Sequence, residues 1–310
     1  MPDLKKLVCL KIGPKEDAYT IHSATSLYRK LKQEIDFDGL EVRFNAVPDR
    51  NFGVRGPPIK EMLNFVEQAR SEFDTLYLHG SSYLIISLAN ERLDEDFPHL
   101  FDNVIVHRSA YEDMTTQNAH WEVEKFRKKL GRKKIWKRWI APLMSTDDSE
   151  YSGVESLLEN EPYLDSNMHQ IHREALRRRC NKTYDVGHHM KSFYLPTERH
   201  PQSFSDSMDL YSRRIENGWP VFNMEYIREL AENIVHCHIH GLDVDSMRDH
   251  IPFEKSSIAT PAHKELIHRI LANAKNLQSF TVELSQAYHD TSSIARSMEY
   301  FEEEFCKRQP

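Results

Sequence analysis

One arrangement recurs along this chain: a short apolar-alternating strand whose last inward position is polar or titratable, then a loop, then a helix-like stretch. Strands are read at Leu7 to Gly13, Leu40 to Asn45, Leu76 to His79 and Val104 to His107, and again at Leu157 to Glu159, Thr183 to Asp185, Ile234 to His240 and Phe280 to Leu284. Amphipathic stretches lie between most of them, at Ala18 to Ile35, Pro58 to Phe73, Met114 to Leu130, Asp165 to Cys180, Met224 to Asn233, Pro261 to Asn276 and Thr291 to Phe305. Strands alternating with helices point to parallel pairing, because a parallel connection needs a crossover of helix length.

Eight such units close naturally into a (β/α)8 TIM barrel, a fold that commonly runs to about 250 residues or more. The 310 residues are therefore read as one α/β domain, 1–310, with a long polar insertion, His189 to Pro220, after the sixth strand and a second irregular region, Trp136 to Gly153, before the fifth. A doubly wound open sheet is the alternative. It does not explain why nearly every strand ends in an inward His, Asp or Glu, and the ten glycines include no glycine-rich phosphate turn.

In a barrel the C-terminal strand ends carry the chemistry. Here they bring together His79, His107, Glu159, Asp185, His188, His240 and Glu283. The seventh strand adds a ladder, His236, His238 and His240 at period two, so the three imidazoles share one face and Val235, Cys237 and Ile239 take the other. Imidazole mixed with carboxylate is ligand chemistry for a divalent ion, without the thiolates of a structural zinc site. His22, His169, His172, His200, His263, His268 and His289 are read as surface residues on helices or loops.

Composition narrows the setting. Four scattered cysteines, with no CxxC spacing, point to reduced thiols in a cytoplasmic protein. The amino terminus has no signal-peptide pattern, and no apolar run reaches the roughly 18 residues of a membrane span. A net charge of -7 argues against a protein coated in basic surface; the main basic run, Arg127 to Arg138, is read as a solvated helix end or loop.

Four segments carry a family likeness: Leu158-Glu159-Asn160, Asp185-Val186-Gly187-His188, His238-Ile239-His240-Gly241-Leu242-Asp243 and Val282-Glu283-Leu284. In this order the chain resembles the xylose isomerase-like TIM-barrel superfamily, which takes in sugar and sugar-phosphate isomerases and epimerases and the endonuclease IV type of DNA-repair enzyme (AP endonuclease family 2). The resemblance implies a core metal site of Glu159, Asp185, His240 and Glu283, to which the endonuclease branch would add His79, His107, His188 and His250. His240 takes the ligand place because Gly241-Leu242-Asp243 follows it, like the family's His-x-x-Asp. His238, one layer deeper by roughly 6.6 Å of strand rise, is then a supporting or substrate-binding group and His236 a hydrogen-bonded core histidine. Arg248 departs from the pattern, standing where that branch has a metal-binding Asp, with Asp249 one place off.

Two activities follow from the resemblance. One to three Zn, Mn or Fe ions per chain are expected, and in a multi-metal hydrolase or phosphodiesterase two or more of them would activate water against a phosphodiester. In a single-metal sugar or sugar-phosphate isomerase, Glu159 and Glu283 would act as the acid/base pair, His188 would bind a substrate hydroxyl, and Lys11 and Arg43 would shape the pocket. The expected partner is a small-molecule phosphate or sugar, with nucleic acid possible and no membrane; the sequence gives no oligomeric state. A barrel that only binds a ligand is the third class.

Overall fold

The computed structural model describes residues 4–14, 18–45, 47–48, 54–80, 97–107, 157–161, 168–192, 224–243, 245–256 and 261–306. Its strands are β1 (Lys5–Ile12), β2 (Gly39–Phe44), β3 (Val47–Pro48), β4 (Val54–Arg55), β5 (Thr75–Gly80), β6 (Asn103–His107), β7 (Leu157–Glu159), β8 (Lys182–Asp185), β9 (Ile234–Ile239), β10 (Gly241–Asp243), β11 (Arg248–Ile251) and β12 (Ser279–Val282). The helices are α1 (Ile21–Glu34), α2 (Ile59–Glu72), α3 (Met168–Arg178), α4 (Val186–Ser192), α5 (Met224–Ala231), α6 (Pro261–Asn273) and α7 (Thr291–Phe301). Eight strands form a closed barrel in the order β1-β12-β9-β8-β7-β6-β5-β2, the (β/α)8 architecture expected from the repeating pattern. The chain divides into two compact units, taken in turn below.

In the unit built on Leu7–Leu158, β1, β2, β5 and β6 pair in parallel, with Cys9 beside Glu41 and Lys11 beside Arg43. Alternation thus puts Cys9, Lys11, Glu41 and Arg43 on one face and Leu10, Leu40 and Val42 on the other. The helix α1 begins at Thr20, whose hydroxyl accepts the Ser23 N–H, and buries Ala24, Tyr28 and Leu31 at the i, i+4, i+7 spacing of one stripe. Tyr28 meets Phe65 of α2 and Phe73 edge-on, at 6.0 and 5.6 Å between ring centres. A fully buried side chain of this size contributes roughly 1.5–3 kcal/mol, so such contacts, more than helix propensity, hold α1 in place. Gly39 is required by closeness: a β-carbon there would lie 2.1 Å from the Thr75 carbonyl oxygen.

In the unit that holds Glu159–Leu176 and Asn181–Pro310, β8, β9 and β12 stand in register. Thr183, His236 and Ser279 form one inward rung, and Asp185, His238 and Thr281 the next. The alternate rung, Tyr184, Cys237 and Phe280, is fully buried under the helices, where Phe280 packs on Phe301 of α7 at 4.9 Å. Asp290 caps α7 by accepting the Ser293 N–H. A hairpin of β10 and β11 follows β9, held by the Ser256 hydroxyl, which accepts the Leu242 N–H and donates to the Leu242 carbonyl.

Several sequence expectations change. The first residues of the long insertion, His189 to Ser192, belong to α4; its remainder, with Trp136 to Gly153, the stretch Met114 to Leu130 and the basic run, lies outside the described residues. His172 and His289 are buried, not surface groups. The Lys182 amine donates to His172 Nδ1 and the Leu230 carbonyl, and His289 donates to the Leu284 carbonyl, so each imidazole satisfies a polar group inside the fold. All four cysteines are free thiols, and among the described residues no helix is long and apolar enough to cross a membrane.

Candidate metal centre

Glu159 ends β7, Asp185 ends β8, His238 is the next-to-last residue of β9 and Glu283 follows β12 directly. Parallel strands end together, so four residues distant in sequence become neighbours, each at most 1% exposed. Nδ1 of His238 lies 3.2 Å from Glu159 Oε1, 3.2 Å from Glu283 Oε2 and 3.7 Å from Asp185 Oδ2. One ligand atom from each of the four falls within 4.8 Å of all the others. An ion with bonds of about 2.1 Å separates adjacent ligands by roughly 3.0 Å in octahedral and 3.4 Å in tetrahedral geometry, so the donor set fits a single divalent ion.

The centre is braced from behind. Asn160 and Asp185 exchange hydrogen bonds, side-chain amide to backbone carbonyl and backbone N–H to side-chain oxygen, which locks the ends of β7 and β8. Asp185 Oδ1 accepts the His188 N–H at 2.6 Å, tying the start of α4 to the carboxylate. Burial would raise the Asp185 carboxyl, but His188, His240 and a hydrogen bond from His238 overcome it and hold the group well below its usual range. Burial depresses His188 below an ordinary histidine, against the attraction of Asp185 and Glu159.

A second group, His188, His240 and His250, stands beside it with ligand nitrogens inside the same 4.8 Å limit. The rings of His240 and His250 stack at 4.2 Å, 8° from parallel. Nε2 of His240 reaches Asp185 at 3.0 Å, and Nε2 of His250 reaches Glu283 Oε1 at 3.2 Å. His250 carries a positive φ of 56°, in the left-handed region where a non-glycine residue is strained. Asp249 bridges His250 Nδ1 and the Lys191 amine; burial would raise it, but those hydrogen bonds hold it well below the usual carboxylate range.

The sequence-based ligand set and the geometry differ at one strand. His238, not His240, faces the three carboxylates, because its rung also holds Asp185, while His240 one rung on turns to Asp185 from the side of the hairpin. His236 lies a rung deeper, bonded to Ser279 Oγ at 2.8 Å and Thr281 Oγ1 at 3.1 Å, a core histidine.

The other unit carries its own buried chain of polar groups. Glu41 Oε1 accepts from His79 Nδ1 at 2.7 Å, and the Nε2 atoms of His79 and His107 face each other at 2.6 Å with the rings stacked. Two imidazole nitrogens at that distance share an N–H···N bond. Glu41 is fully buried, a site residue that sequence reading places only on the polar side of an amphipathic strand; its pairing with β5 across 38 residues is the signal, and only the fold supplies it. Lys11 is buried and shares this strand face with Arg43.

Comparison with known proteins leaves the family open. No family model matches the chain, and no curated protein does. Among solved structures, dihydropteroate synthase from Xanthomonas albilineans, in complex with indole-2-carboxylic acid and 6-chloroguanine, aligns with 100% of this chain and 95% of its own, at 10% identity and a TM-score of 0.38.

The absence of any matching family model corrects the resemblance to the xylose isomerase-like superfamily, and with it the two activities it implied, the endonuclease IV type of phosphodiesterase and the sugar isomerase with Glu159 and Glu283 as acid/base pair. The physical reason lies in the motifs. Glu-Asn, Asp-x-x-His and His-x-His-Gly at strand ends are what any barrel with a carboxylate and imidazole mouth displays, so they report ligand chemistry without descent.

Proposed function

We propose that this chain is a metal-dependent (β/α)8 enzyme whose resident divalent ion is held by Glu159, Asp185, His238 and Glu283 and whose ligand is a small hydroxylated or phosphate-bearing molecule. The observation that carries the reading is the crowding of three fully buried carboxylates around one imidazole nitrogen. Buried like charges this close repel, and taking each carboxylate out of water costs several kcal/mol. A divalent cation resolves both problems at once. Three oxygens and one nitrogen suit Mn2+, with Fe2+ and Zn2+ next.

When bound, such an ion supplies Lewis acidity to a coordinated oxygen. The protein's own part is orientation. Asn160 and α4 fix Asp185, and His188, with Nδ1 3.2 Å from the Asn160 carbonyl oxygen, presents its ring at the rim of the cluster.

The test begins with elemental analysis of protein purified without added metal or chelator, followed by Mn2+ titration of the stripped protein. About one ion per chain is expected, with Asp185→Asn and Glu283→Gln each weakening Mn2+ binding at least about tenfold while the circular dichroism stays unchanged. Turnover of a phosphorylated or polyhydroxylated small molecule that chelator abolishes completes the assignment. A protein that takes no metal after reconstitution overturns it.

A further inference from the structure

The same unit gathers two cations on one aromatic ring. The Arg248 guanidinium stands 5.5 Å from the centre of the Tyr288 ring, and the Lys255 amine 5.1 Å from the same ring. Both cations are exposed, and among the described residues neither has an ion pair with a carboxylate. In a chain of net charge -7 these two cations share one aromatic ring, with Asp243 opposite Arg248 across the hairpin.

Their place in the fold gives them a use. Arg248 opens β11, two residues and so roughly 6.6 Å before His250, whose ring reaches Glu283. Tyr288 closes the one-turn 3-10 helix Gln286–Tyr288, and the Ser285 N–H just before that turn donates to the His250 carbonyl at 2.8 Å. The backbone thus ties the ring that gathers the cations to the hairpin residue that touches the acidic centre. Cation–π contact limits the freedom of both side chains, so less entropy is lost when they close on a ligand. A guanidinium offers a planar fork to an oxyanion and an ammonium a point charge, a combination suited to phosphate.

We propose that Arg248, Lys255 and Tyr288 form an anion subsite that holds the phosphate group of a small phosphorylated ligand while its oxygen-bearing end reaches the centre of Glu159, Asp185, His238 and Glu283. The proposal rests on the metal-centre reading for the far end of the ligand, and on the patch alone for the phosphate.

Inorganic phosphate is the probe, titrated by calorimetry into the full chain in metal-free buffer so that no ion can bind it. Saturable binding is expected, weakened about tenfold by Arg248→Gln and by Lys255→Gln, lost in the double variant and largely restored by Arg248→Lys. Mn2+ affinity, measured on the same preparations, stays at the wild-type value. Phosphate binding that is absent, or indifferent to these substitutions, overturns the subsite. A short single-stranded oligothymidylate that binds more tightly than phosphate through the same residues overturns the small-molecule assignment. Failure to take up Mn2+ strikes only the preceding reading, because the phosphate titration needs no metal.

Discussion

Gly187 and the His240 imidazole occupy adjoining space: a β-carbon on Gly187 would lie 2.0 Å from Cε1, 2.2 Å from Nδ1 and 2.8 Å from Nε2 of His240. Two effects of Gly187→Ala therefore compete. Helix propensity in α4 would favour alanine by about 1 kcal/mol, while overpacking a buried ring costs about 1–3 kcal/mol. The ring cannot retreat freely, since Asp185 holds one side and His250 stacks on another. A lower melting temperature is expected, with the His240 imidazole resonances shifted in NMR spectra; a rise in stability would show that the ring moves without cost.

Ser279→Ala separates the core from the site. The substitution removes the Ser279 hydroxyl from His236 Nδ1, and the loss of a buried hydrogen bond costs about 1–3 kcal/mol. Denaturant unfolding should register that loss while Mn2+ binding remains at the wild-type level, because His236 lies a rung below His238.

Metal binding should appear as stability. A ligand at 100 times its dissociation constant that binds only the folded state stabilises it by about 2.7 kcal/mol. Mn2+ at that excess should raise the melting temperature of the wild type, chelator should reverse the rise, and Asp185→Asn should show neither. A rise of equal size in the variant would place the ion elsewhere.

Tyr28 predicts an alkaline limit. Burial, then the hydrogen bond to Glu72, pushes its hydroxyl up to about 12 from the ordinary value of 10. The fold thus favours the neutral phenol. The contribution is whole below pH 10 and is lost as pH rises through 12, because the unfolded chain releases its proton first. Tyr28→Phe, which has no proton to lose, should flatten the fall in stability over that window; an unchanged profile would mean that other groups set the limit.

All eight barrel strands stand in the sequence because strand and helix periodicity are local properties. Leu157 to Glu159 coincides with β7, and the others differ by a few residues at their ends. The hairpin β10–β11 and the helix α4 escaped for the same reason in reverse. Gly241–Asp243 and Arg248–Ile251 are mostly polar and lack the apolar run that marked the equally short β7 and β12, and Val186 to Ser192 is a single short stretch started by Asp185 accepting the His188 N–H. Residue types at the site were legible, but their partners were not. Which of His238 and His240 meets the acids depends on the rung each shares with Asp185, and Glu41 has meaning only once β2 lies against β5. The family likeness failed at this same boundary, since it was drawn from short motifs and not from the contacts they make.

The inward rungs of β9 hold His236 and His238 and its outward rung holds Cys237, so polar ligand-type side chains and packing side chains are written on alternate letters of one strand. Such a segment can vary one letter at a time, inward for chemistry and outward for packing. It cannot absorb a frame slip. A single residue inserted between Asn233 and His236 would send the imidazoles into the helical layer and the aliphatic side chains into the barrel, and both would be lost together. Descendants of this protein are therefore free to change what the centre holds, and are bound to keep its spacing.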